Sequence, residues 1–103
     1  MKLHEFKDGE GRCFAFEIDN SPPFRRGVYK IIATIPGVRL LTPPPRFFGR
    51  REDVFCEFEV DGVRFAAEEP FGDSSCYWIG PKDSPRNQAY PALEIVMNTF
   101  RGV

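Results

Sequence analysis

The run "VFCEFEVDGVRFAAE", Val54 to Glu68, constrains this chain more than any other stretch. Asp-Gly is the pair preferred by a two-residue type I′ turn, whose twist matches that of the strands it joins. Placing Asp61 and Gly62 in the turn sets Val60 opposite Val63, Glu59 opposite Arg64 and Phe58 opposite Phe65. Side chains alternate along strands. Cys56, Phe58, Val60, Val63, Phe65 and Ala67 therefore share one buried face. Glu59 and Arg64 fall on the other, where they are expected to form a cross-strand ion pair. Phe55 goes with Glu57 and Glu59 to that outer face by the same alternation.

The remaining elements are read around this hairpin. Leu3 to Phe6 and Arg12 to Ile18 flank "KDGEG", a second hairpin signal. Phe14, Phe16 and Ile18 are expected on one face of its second strand, with Cys13, Ala15 and Glu17 on the other. "DNSPPF" offers capping residues and first-turn prolines for a helix. Its apolar stripe is Phe24, Val28, Ile31, Ile32 and Ile35, and Pro36–Gly37 ends it. Residues 38–41 read as a short strand. Residues 42–53, with three prolines in succession, read as an extended loop. "CYWIG", 76–80, is a further strand, and 81–90 reads as a loop. Pro91 then opens a last helix with Leu93, Val96, Met97 and Phe100 on one side.

The order is ββαββββα. It predicts an α+β fold of two layers: a largely antiparallel sheet of about five or six strands, with two helices packed on one face. Residues 1–103 are read as one globular domain. A chain of 103 residues has room for one core, and eleven Phe supply large buried areas to it.

Cysteine usage narrows the chemistry. Cys13, Cys56 and Cys76 cannot all pair within one chain, and His4 is the only histidine. No spacing of a Cys/His zinc site is present. No cofactor fingerprint and no metal set is expected. Neither a secretory leader nor an apolar run of membrane-spanning length is seen, so a reduced, cytoplasmic protein is expected, without membrane contact.

Net charge is −1. Residues 1–51 carry ten Lys and Arg against five Asp and Glu, and residues 52–103 carry four against ten. Such segregation steers partners if the halves separate in space.

Three function classes follow. The first is a small non-enzymatic interaction protein that binds a protein partner, or itself, through an open sheet face and the acidic turn at 68–73. Its candidate contacts are Glu68, Glu69, Asp73, Tyr77, Trp78 and Phe55. Tyr77 and Trp78 are neighbours on one strand, so only one can be core. The size and charge also suit an inhibitor of a basic enzyme. The second class is a binder of single-stranded nucleic acid. Arg46, Phe47, Phe48, Arg50 and Arg51 interleave bases for phosphates with rings for stacking, and Arg25 and Arg26 extend that patch. The third is a small enzyme with Cys76 as nucleophile. It needs a base in reach, and His4 serves only if the first and last strands meet. Glu68, Glu69 and Asp73 lack the spacing of a calcium loop, and Pro70, Gly72 and Asp73 are turn residues.

Overall fold

The computed structural model describes the backbone of residues 1–19, 24–42, 54–69, 76–82 and 86–103, and the side chains of these except residues 24 and 86–90. Six strands and two helices run in the order β1 (Leu3–Lys7), β2 (Cys13–Asp19), α1 (Phe24–Ile32), β3 (Arg39–Leu40), β4 (Val54–Val60), β5 (Val63–Glu68), β6 (Cys76–Pro81) and α2 (Arg86–Arg101). The strands form one antiparallel sheet ordered β1-β2-β6-β5-β4-β3. Both helices pack on one face, which gives the two-layer α+β architecture.

The β4–β5 hairpin has the register its turn residues dictate. Val60 pairs with Val63, Glu59 with Arg64, Phe58 with Phe65 and Cys56 with Ala67. Asp61 and Gly62 take φ of 51° and 77°, as a type I′ turn requires. Phe58 and Phe65 stack with ring centroids 5.3 Å apart. Glu59 and Arg64 stand opposite each other, but no ion pair joins them.

Two bulges break the simple alternation. In β1–β2, Phe6 pairs with Ala15 while Lys7 pairs with Cys13, so Phe14 is the extra residue. Cys13 turns to the helix side, with Sγ 3.7 Å from Met97 Sδ. Phe14 leaves the core and lies beside Phe6, centroids 6.4 Å apart. This reverses the expected faces of Phe14 and Cys13. In β4, Val54 pairs with Glu68 and Cys56 with Ala67. Phe55 is the extra residue and is buried in the helix-side core instead of lying on the outer face.

The helices depart from expectation at their ends. α1 stops at Ile32, where Thr34 Oγ1 donates to the Ile31 carbonyl at 2.6 Å. Ile35 still buries its side chain from the turn that follows. α2 begins at Arg86, so Pro91 lies inside it and residues 86–90 are helix where a loop was expected. Ala92, Leu93, Val96, Met97 and Phe100 supply its buried stripe. Phe100 meets Phe16 of β2 edge to face, 5.5 Å between centroids. With Val28, Ile31 and Ile32 of α1, these residues join Phe16, Ile18, Phe58, Phe65, Tyr77 and Ile79 in one core.

β6, from the acidic half of the chain, inserts between β2 and β5, and β3, from the basic half, closes the far edge. The two charge halves therefore interleave. Among the described residues no helix is long and apolar enough to cross a membrane.

Candidate functional site

The sheet's two faces divide the five described acidic and aromatic candidates, Phe55, Glu68, Glu69, Tyr77 and Trp78. Tyr77 points into the helix-side core and is 1% exposed. Trp78, its neighbour, is half-buried on the opposite, outer face. Cross-strand pairing fixes this assignment: Ile18 is Tyr77's partner on β2, and Glu17 is Trp78's.

Phe55, Tyr77 and Glu69 belong to a buried cluster on the helix side. The Phe55 and Tyr77 rings meet edge to face with centroids 5.4 Å apart. The Arg25 guanidinium, at the start of α1, lies 5.2 Å from the Phe55 ring centroid. Arg25 Nε also donates to Glu69 Oε1 in an ion pair. Glu69 is only 3% exposed, so the acidic corner does not project there as a row of carboxylates. A buried carboxylate is tolerated because a cation meets it. Burial pushes the Tyr77 hydroxyl up to about 12, with Glu69 adding to the rise and Arg25 opposing it. This cluster ties the beginning of α1 to the ends of β4, β5 and β6. Arg25 is thereby held within the fold by Glu69 and the Phe55 ring. Asp73 lies outside the described residues, as do Arg46, Phe47, Phe48, Arg50 and Arg51.

Glu68 and Trp78 come together on the outer face. One cross-strand row there runs His4 of β1, Glu17 of β2, Trp78 of β6, Glu68 of β5 and Val54 of β4. Glu17 is a member of this site that sequence reasoning missed. Alternation along its strand places it outside, but only the β2–β6 pairing puts it beside the tryptophan. Trp78 leans along its own strand. Its Cη2 and Cζ2 atoms lie 2.7 and 2.8 Å from the position a Cβ on Gly80 would occupy, and Ala15 Cβ lies 2.8 Å from the same point. Ala15 and Ala66 are buried on this face without belonging to the helix-side core. Small residues thus make a low floor, and the indole lies over it.

Charges elsewhere on the face are arranged differently. Lys82 pairs with Glu57. Arg39 and Arg64 both stand opposite Glu59. His4 Nε2 is 3.7 Å from Asp19 Oδ1.

The cysteines are placed as follows. Cys13 and Cys56 are buried. Burial raises both thiols, Cys56 to about 11, with a hydrogen bond to Thr42 opposing and Glu57 adding. Both are therefore protonated at neutral pH and poor nucleophiles. Cys76 is half-exposed and pairs with Asp19 across β2–β6. β2 separates β1 from β6, so the strands carrying His4 and Cys76 do not meet. Two strand spacings, about 9–10 Å, keep the imidazole's strand beyond direct reach of the thiol's. Among the described residues no three His, Cys, Asp or Glu side chains gather as metal ligands.

No family model, curated protein or solved structure matches this chain.

Proposed function

We propose that this chain is a binding module that receives a protein partner on the outer face of its sheet, with Trp78 at the centre of contact. The single observation behind this reading is the placement of Trp78. A large aromatic side chain is held half-exposed over Gly80, Ala15 and Ala66, on the face away from both helices. Tryptophan gives contact area at small entropy cost and is enriched where partner binding energy concentrates. The small residues beneath it let the ring lie flat against the sheet, with its outer surface toward solvent. Glu68 and Glu17 flank the ring and add charge selection. Phe55, Tyr77 and Glu69 support this surface from the core without being part of it.

Photo-crosslinking tests the reading. A benzophenone amino acid replaces Glu17 or Arg64 on the outer face, or exposed Lys30 on α1, in the organism the chain comes from. Adducts with one protein from positions 17 and 64, and none from 30, are expected. A second copy of this chain as the adduct would identify self-association. Equal capture at position 30, or no adduct at 17 and 64 at cellular concentration, would refute the proposal.

A further inference from the structure

The outer face carries a second level of information, in its charges, and the geometry points to an arginine side chain of the partner protein as the group that Trp78, Glu17 and Glu68 receive. This rests on the protein-binding reading of the same face. Most of the face's charges are balanced within the chain: Lys82 pairs with Glu57 and His4 with Asp19, and Glu59, though in no ion pair, is faced by Arg39 and Arg64 on its two neighbouring strands. Glu17 and Glu68 are not. Among the described residues neither carboxylate makes an ion pair or hydrogen bond, and Trp78 Nε1 donates to no acceptor.

The two carboxylates flank the indole in one row, one on each neighbouring strand. Facing residues on paired strands place their Cβ atoms about 5 Å apart, so the two carboxylates rise on either side of the base of the Trp78 side chain, whose ring extends over Gly80. Two negative groups and an electron-rich ring then attract the same ligand, a cation with apolar faces. Guanidinium fits best. It is planar, stacks on aromatic rings, is weakly hydrated and donates in several directions, so one group can stack on Trp78 and bond to both carboxylates. An ammonium is a compact, strongly hydrated point charge and satisfies fewer of these contacts at once. A phosphate-bearing ligand meets like charge at the same place.

Trp78 is the only tryptophan, so its emission reads this site directly. The full chain is titrated with an end-blocked peptide of alternating glycine and arginine, and with its lysine and citrulline counterparts. A saturable change in emission is expected, with the arginine peptide several-fold tighter than the lysine one and the citrulline peptide inactive. The double change Glu17→Gln/Glu68→Gln should weaken arginine binding by roughly tenfold. Its denaturation curve should match that of the unaltered chain, since both residues are surface groups without partners. Equal affinity for lysine and arginine, or unchanged arginine binding by the double variant, would overturn the assignment. Crosslinking at position 17 together with a silent arginine titration would retain the face and reject arginine. Failure of both would reject the face as well.

Discussion

Trp78 and Gly80 occupy one space: a Cβ on Gly80 would stand 2.7 Å from Cη2 of the Trp78 indole. The ring's far end could swing away from a methyl group there. Ala15 Cβ, 2.8 Å from the same point, is fixed by its strand and cannot. Gly80→Ala must therefore displace the indole and strain the β2–β6 pairing. A loss of about 1–3 kcal/mol is expected, in the range of small overpacking changes. Chemical denaturation measures it. Emission of the single tryptophan should shift to the red as the ring moves into water. The double change Ala15→Gly/Gly80→Ala should recover part of the stability but not the emission, because the indole remains displaced.

How much of this surface was legible beforehand follows from the range of each signal. The β4–β5 hairpin was readable because turn chemistry, alternation and register are all local to Val54–Glu68. Phe14 and Phe55 were misplaced for one shared reason: each is the extra residue of a bulge, and one inserted residue inverts the parity of everything on its far side. Nothing in "RCFAF" or "DVFCEF" marks the insertion, since both neighbours at each bulge are apolar. The early start of α2 was missed because Pro91 suits a first turn and was read as one. The site itself depends on β6 lying between β2 and β5. That choice is non-local, so Glu17 and Trp78 could not be brought together from spacing in the chain.

Glu69 and Arg25 give a second prediction. The Glu69 side chain is almost fully buried, and its charge is met by Arg25. Arg25→Met leaves that carboxylate in the protein interior without this cation. Removing one partner of a buried pair costs about 3–5 kcal/mol. The double change Arg25→Met/Glu69→Leu should regain most of this, because both charges then leave the interior together. Equilibrium unfolding of the two single variants and the double variant provides the coupling. Additive losses would show that the pair contributes no mutual stabilisation.

Phe55 gives a third. Its ring contacts Tyr77 and lies under the Arg25 guanidinium. Phe55→Ala should destabilise by about 3–5 kcal/mol, as for a buried phenylalanine. An outer-face position would cost only a fraction of that. Phe55→Leu keeps the apolar volume, so it should retain much of the stability while losing the ring contacts. Arginine-peptide binding at Trp78 should be unchanged in the Leu variant, since Phe55 lies on the other side of the sheet.

Thiol labelling separates the three cysteines. Cys76 is half-exposed, whereas Cys13 and Cys56 are buried. At neutral pH one thiol should react rapidly with a disulfide reagent, and Cys76→Ser should abolish that phase. The other two should react only at the rate of unfolding, and added denaturant should accelerate them together. Rapid labelling of two sites in the native chain would contradict the burial of the β4 or β2 cysteine.

Alkaline pH provides the last prediction. Burial raises Cys56 from an ordinary value near 9 to about 11, and Tyr77 from near 10 to about 12. Both groups hold their proton more tightly folded than unfolded. Their contribution is complete below the unfolded values and is lost as pH rises toward the folded ones. Stability should thus decline from about pH 9 through the Cys56 window, and more steeply from about pH 10 when Tyr77 joins. Each group contributes a slope of about 1.4 kcal/mol per pH unit within its own window. Denaturant midpoints between pH 8 and 11 measure the decline. Cys56→Ala, though less stable throughout, should make the decline that begins near pH 9 shallower, leaving the smaller share from buried Cys13 and the later fall from Tyr77. If that decline is unchanged in the variant, the Cys56 thiol is not its source.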